Sequence, residues 1–450
     1  MINEIINFLK DKKIAILGFG LEGKSSYNLI RKYLPQKQID ILIKSFSNDD
    51  QIEQDKNVNL IIGEEYLDNL EKYDVILKSP GISFKDIDIS KIEDKIYSQL
   101  ELFLEYKNSM CIGITGTKGK STTSSLIYEV IKSQNENVEL LGNIGIPIFD
   151  EIEKIKADTI TVLEISSHAL QYVKRSPDIS ILLNLYEEHL DHYKSFEEYQ
   201  DAKFNIFKFQ NENNIAIFNL DNKNIQNKNF KYKKTDYAVT FENNQNFLTN
   251  NTMYIKDGYI WYNREKIYDI SNNRKLKGNH NLNNIMFVLA VSKILNLDIS
   301  KAIKTINEFN PLEHRMEYVG TFDDIEYYND SIATVPESTI ESIKALKNVN
   351  TLIVGGNDRG VNQHNLIEFL KKSKIENIIC LPKTGEYIYD GLVETNKKLE
   401  KVGTMQEAVE LAKKYTKENS ICLLSPAASS YGYFKNFKDR GNQFKEYVKK

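Results

Sequence analysis

A chain of 450 residues is too long for one ordinary domain and suits about three. Its 59 basic and 63 acidic residues are interspersed and leave a net charge of -4, which argues against the basic face a nucleic-acid binder needs. No uncharged apolar stretch approaches the roughly 20 residues that span a bilayer, so no membrane insertion is expected. The three cysteines, Cys111, Cys380 and Cys422, stand far apart in apolar runs. They read as buried thiols in a reducing cytoplasm, not as a disulfide frame or metal set.

In chain order, "KKIAILGFG" predicts a strand ending in glycine, followed by the helix-like "KSSYNLIRKYL" and the strand-like "IDILIKSF", "NLIIG" and "DVILKSPG". This alternation predicts a parallel, helix-covered sheet over residues 1–100. Gly18, Gly20 and Gly23 complete a G-x-G-x-x-G, which suggests a dinucleotide. The confirming acid at the end of the second strand is missing, and Asp40 comes too early.

A second block, 101–311, opens with "GITGTKGKSTTS" at 113–124. The usual phosphate loop has glycine where Ile114 stands, yet Gly116, Gly119, Lys120 and Ser121 still lie between an apolar run and a helix-compatible segment. Backbone N–H groups of such a turn favour phosphate, Lys120 can neutralise it and Ser121 can ligate Mg²⁺. A plain glycine turn is the other reading. "TITVLEISS" and "ISILLNL" predict strands whose C-terminal ends carry polar residues, where sites of parallel sheets lie. Glu164 is either a Mg²⁺ ligand or an exposed strand-end acid. His189 follows a strand end and is one of only six histidines, whereas His192 reads as packed or solvent-facing. Lys203, taken alone, is a surface lysine, since an ammonium cannot ligate a cation. Residues 236–270 alternate aromatic and polar and predict a small antiparallel insert, before a capped helix in "GNHNLNNIMFVLAVSKIL". A third alternating series fills 312–450, with strands in "IEYYND", "NTLIVGG", "NIICLP" and "ICLLSP" and a helix in "MQEAVELAKKYT". The fold class expected is α/β in three tandem domains: Rossmann-like, a central phosphate-loop domain, and Rossmann-like again.

"GTKGKST", "LEISS", "NLYEEHLDHY" and "DAKFNIF", in that order, resemble the ATP-dependent amino-acid ligases of peptidoglycan-precursor synthesis, the Mur ligase family. "GFGLEGKS", "SPG", "GNIG", "HRMEYVG", "NDSIAT", "GGNDRG" and above all "SPAASSYGYFKNFKDRGNQF" extend the resemblance over nearly the whole chain, toward the branch that adds D-glutamate. The resemblance implies a cytoplasmic monomer that adds D-glutamate to UDP-N-acetylmuramoyl-L-alanine through an acyl phosphate, releasing ADP and phosphate. It implies a UDP-sugar domain, a central ATPase and an amino-acid domain. By correspondence, ATP falls to Gly116, Thr117, Lys118, Gly119, Lys120, Ser121, Thr122, Asn284, His314, Arg315 and Asp330. The UDP-sugar falls to Gly20, Leu21, Glu22, Ser79, Pro80, Gly81, Asn143 and Ser166, and glutamate to Thr334, Arg359, Ser430 and Phe437. Lys120, Glu164, His189 and Lys203 correspond to the catalytic residues. Two Mg²⁺ are implied, one on Ser121 and Glu164, the other on His189 and a carbamylated Lys203.

Two departures stand out: Ile332 where many members have lysine, and Arg359 for a lysine at the glutamate site. "SSHAL" and "HLDHYKSFEEYQDAK" are closer to the sister ligase that adds the third residue, whose "DNPR" motif is absent. A sister ligase is therefore the alternative, and an NTP-driven regulatory binding protein the alternative from another class.

Overall fold

The computed structural model describes residues 1–44, 55–143, 146–189, 192–228, 230–241, 249–310, 312–346, 348–358, 361–430 and 432–450. Within them the chain forms three sheets of mixed α/β architecture. Two compact units result, Met1–Asn272 with Leu282–Asn307, and Asn273–Asn281 with Glu308–Lys450. Among the described residues no helix is long and apolar enough to cross a membrane.

The first sheet is wholly parallel. Val58–Ile62, Ile39–Ile43, Ile14–Leu17, Val75–Lys78 and Ile96–Tyr97 lie side by side in that order. Ile14–Leu17 and Val75–Lys78 are buried along their whole length, as strands covered by helices on both faces must be. The strand order reverses between these two, so the loops after Leu17 and Lys78 flank the crevice where parallel sheets bind ligands. The G-x-G-x-x-G turn is one of those loops. Gly18 is left-handed at φ +85°, and a Cβ on Gly23 would lie 2.1 Å from the Gly18 carbonyl oxygen. Only glycine lets the helix Leu21–Tyr33 start so close to the strand.

The second sheet has nine strands. Val138–Gly142, Ile160–Glu164, Met110–Thr115, Ile179–Leu182, Ile215–Asn219, Tyr237–Thr240 and Asn251–Lys256 run parallel, followed by Tyr259–Tyr262 and Glu265–Asp269 in antiparallel hairpins. The expected antiparallel insert is thus corrected in part. Tyr237–Thr240 pairs in parallel on both sides, and the hairpins extend the same sheet. Alternating aromatics mark a strand with unequal faces, but they do not say in which direction its neighbour runs.

The third sheet orders Glu317–Phe322, Ile325–Asn329, Ser420–Leu424, Val349–Gly356, Asn377–Lys383 and Lys398–Lys401. Only its first pair is antiparallel. Cys111, Cys380 and Cys422 are buried free thiols, as expected.

Gly23→Ala tests the strand–helix approach. The added methyl meets backbone, which cannot step aside as a flexible side chain would, so a loss of about 1–3 kcal/mol is expected. Gly20→Ala, with nothing within 4 Å of its Cβ, should stay within about 1 kcal/mol. Urea unfolding of both variants is the measurement.

Candidate active site

The strand Met110–Thr115 sits between Ile160–Glu164 and Ile179–Leu182, so three strand ends converge. The loop that follows is strained in the way a phosphate loop is. Gly116 and Gly119 have φ of +157° and +86°, and Gly119 precedes the helix Lys120–Lys132. Asn184 holds the loop from the neighbouring strand end: its Oδ1 accepts from Lys118 N at 2.8 Å and its Nδ2 donates to the Lys118 carbonyl at 3.0 Å. Thr117 Oγ1 lies 2.8 Å from the Tyr199 hydroxyl, and Lys118 pairs with Glu188 at 2.8 Å. The Lys120 ammonium folds back onto its own loop, donating to the carbonyls of Gly116 at 2.9 Å and Thr117 at 3.1 Å. Ser121 and Thr122 open the helix, and Asn284 packs its side-chain oxygen 2.8 Å from where a Gly119 Cβ would stand.

Lys203 is no surface lysine. The helix Phe196–Lys208 carries it into the core at 2 % exposure. Its Nζ donates to the Gly116 carbonyl at 2.9 Å and to Thr115 Oγ1 at 3.2 Å. Burial, reinforced by the nearby Lys120 charge, holds its amine well below the ordinary lysine range. Glu164 is likewise buried, at 3 % exposure, which removes the exposed-acid reading. Its Oε1 accepts from Asn143 Nδ2 at 2.9 Å, and its Oε2 has no hydrogen-bond partner among the described residues. A buried carboxylate oxygen left unsatisfied is costly unless a cation or donor completes it. The donor set therefore fits a hard divalent ion.

His189 adopts a left-handed backbone, φ +62°, and leaves its ring exposed beside Glu188, 3.8 Å away. Burial works against the Glu188 carboxylate, but Lys118 and His189 outweigh it and hold its pKa below the usual range. His192 is buried, with Nε2 3.1 Å from Gln171 Oε1. His168, from "SSHAL", meets His189 and His192 edge to face, with ring centroids 4.7 Å and 4.1 Å away. Burial first, then His192, His189, Lys78 and Lys203, push its imidazole down to about 2. Ser166 caps the short helix that carries His168, accepting from Ala169 N. At the N-terminal crevice, Ser79 Oγ donates to the Gly18 carbonyl at 3.0 Å, tying the two loops that hold Gly20, Leu21, Glu22, Pro80 and Gly81. Asn184, His168 and Lys78 escaped sequence reasoning. Only the strand-end position of Asn184 signalled a role.

In the second unit, Arg440 is fully buried and binds three segments together. Its Nε donates to Ser331 Oγ, and its two terminal nitrogens to the carbonyls of Ser331 and Ala428. Ser331 Oγ in turn donates to the Phe437 carbonyl. The loops bearing Ile332, Thr334 and Ser430 thus meet the start of the helix Phe437–Lys449. His314, at φ +62°, lies 6.0 Å from the Phe437 ring and bonds Asn329 through Nδ1. Burial pushes the Asp330 carboxyl up to about 6, although Ser342, Ser425, Arg315 and the Met316 amide stabilise its ionised form. Arg359 lies outside the described residues.

Known proteins resemble this chain in sequence and in fold. Residues 114–292 match the Mur ligase middle domain and 314–428 the Mur ligase glutamate ligase domain. UDP-N-acetylmuramoylalanine–D-glutamate ligases from Clostridium acetobutylicum and Clostridium tetani are 35% and 32% identical, covering 99% of this chain and 98% of each relative. In fold, the chain is similar to the MurF ligase of Thermotoga maritima solved with ADP (TM-score 0.61, 16% identity, 98% and 96% covered). It is similar also to the UDP-N-acetylmuramate–alanine ligase MurC of that organism (TM-score 0.60, 16% identity, 97% and 99% covered).

Glu164→Gln keeps an oxygen for Asn143 and removes the charge. Binding of ADP with Mg²⁺ should weaken roughly tenfold or more, and binding of metal-free ADP should change less than about twofold, by calorimetry.

Proposed function

The chain belongs to the Mur ligase family, in its UDP-N-acetylmuramoylalanine–D-glutamate ligase branch, and on that premise we propose how its residues carry out the reaction. It is an ATP-dependent ligase that adds D-glutamate to UDP-N-acetylmuramoyl-L-alanine in peptidoglycan synthesis. The observation that carries the reading at the site is the convergence of Lys120 and Lys203 on the Gly116 carbonyl at the end of one strand, beside Glu164 at the end of the adjoining one.

The carboxylate of the muramoyl-alanine arm attacks the γ-phosphorus of ATP, expelling ADP and leaving an acyl phosphate. The amine of D-glutamate then attacks the activated carbonyl, and collapse of the tetrahedral adduct expels phosphate and leaves an amide. Lys120 leaves its loop carbonyls for the phosphates, where an ion pair replaces two bonds from the ammonium to neutral oxygens. Bound Mg²⁺ screens the phosphate charge and so lets one anion approach another. Ser121 and Glu164 are assigned one ion, His189 and Lys203 the second. For Lys203 to serve there its amine must add CO₂ and lose a proton, which turns a cationic tip into a carboxylate. Burial holds the Lys203 amine well below the ordinary lysine range, which favours the free electron pair this addition needs.

Residues 1–100 are assigned the nucleotide sugar, 101–311 ATP and 312–450 D-glutamate. Thr334, Ser430 and Phe437 are assigned to the amino acid because Arg440 and Ser331 order the segments that bear them, and Arg359 is assigned a carboxylate by charge. His314, Arg315 and Asp330 are assigned to the nucleotide side of that segment. The cytoplasm, which holds both ATP and nucleotide sugars, is the compartment proposed.

Phosphate release is measured with ATP, Mg²⁺, the UDP-sugar and a panel of amino acids. Turnover with D-glutamate alone is expected. Turnover that requires the glutamyl-extended sugar and a diamino acid would make the chain a sister ligase, and NTP hydrolysis indifferent to both substrates would make it a switch. Lys203→Ala and Lys203→Arg should both fold, by circular dichroism, and lose about a hundredfold or more in turnover. Added formate or acetate should partly restore the alanine variant. Wild-type-like turnover by either variant without additive defeats the carbamate assignment.

A further inference from the structure

Lys78 ends the strand Val75–Lys78, directly paired with Leu17 at the point where the strand order reverses. It is 5 % exposed, a rare state for lysine. The one side-chain hydrogen bond it makes among the described residues is a long one, 3.3 Å from Nζ to the carbonyl of Ser79. No carboxylate lies within 4.0 Å of it among the described residues, although Glu22 is near enough to favour its charge. The rings of Phe84 and Tyr172 lie under the ammonium, at 5.8 Å and 5.5 Å. Burial pushes its amine down to about 8, and burial pushes the Glu22 carboxyl up to about 7 against the pull of Lys78.

Glu22 occupies the first turn of the helix Leu21–Tyr33, where backbone N–H groups point outward and an anion is favoured. A buried ammonium whose contacts among the described residues are one long hydrogen bond to a neutral carbonyl and two aromatic rings keeps donors for an anion. We propose that Lys78 is a specificity-determining contact for the diphosphate of the nucleotide sugar. The inference rests on the nucleotide-sugar reading above. A diphosphate fits because the ammonium, the helix start and the Ser79–Gly18 hydrogen bond all lie at the ends of the two strands flanking the crevice. A neutral sugar offers the ammonium no opposite charge.

The test uses the full-length protein. UDP and uridine binding are measured by ligand-observed NMR, and KM for the nucleotide sugar and for ATP by phosphate release. In Lys78→Met, UDP binding and the nucleotide-sugar KM should each worsen about thirtyfold, as expected when one partner of a buried charge pair is truncated. Uridine binding and the ATP KM should change less than about twofold. Lys78→Arg should recover most of the loss, since it restores the charge. Equal loss of UDP and uridine, or a parallel rise in the ATP KM, would make Lys78 structural and overturn the proposal. Wild-type-like UDP binding by Lys78→Met would overturn the Lys78 assignment alone. A wild-type protein that binds no UDP and turns over no nucleotide sugar would overturn the functional reading with it.

Discussion

Two lysines donate to one carbonyl oxygen. The Gly116 carbonyl accepts from Lys120, four residues on, and from Lys203, 87 residues on. Two ammonium ions sharing a buried acceptor repel each other, with little water to screen them. Burial first, then the Lys120 charge, holds the Lys203 amine well below the ordinary lysine range. This constraint orders the centre of the first unit. Lys120 folds over its glycine turn, and Lys203 reaches the same carbonyl from the core behind it.

The same convergence explains why the polar groups that matter are buried. Parallel strands end together, and the loops leaving them cannot be covered by the next strand. Thr115, Glu164 and Asn184 stand at or just beyond the ends of three adjoining strands, and each meets a partner from another element. Asn184 braces the loop, Asn143 fixes one Glu164 oxygen, and the other oxygen stays unsatisfied. Preorganised groups of this kind can act on a transferring phosphoryl without rearranging during the reaction. In the second unit Arg440 does comparable work with neutral acceptors. Burial pulls its guanidinium down to about 9, and the carbonyls of Ser331 and Ala428 offset that cost. Gly441 beside it is obligatory, because a Cβ there would stand 2.2 Å from His314 Nδ1.

Much of this was legible in the amino-acid order, because its causes are local. An apolar run, a glycine turn and a capped helix are written in consecutive residues, so the strand Met110–Thr115, the loop after it and the helix Lys120–Lys132 follow from "MCIGITGTKGKSTTS" alone. The G-x-G-x-x-G likewise declared a tight strand-to-helix turn, and the missing acid argues against reading a dinucleotide into it. The order of the motifs along the chain carried the family, and with it the reaction. Other features depend on which elements become neighbours. Tyr237–Thr240 runs parallel because of the strands beside it, not because of its own pattern. Lys203 looked like a surface lysine until its helix packed across the phosphate loop. Lys78 carries no local signal, and Phe84, Tyr172 and Glu22 come together around it only in the fold. Local periodicity determines which elements form, whereas burial, pairing direction and the charge felt by a side chain are set by residues tens of positions away, and only the packed structure brings those together.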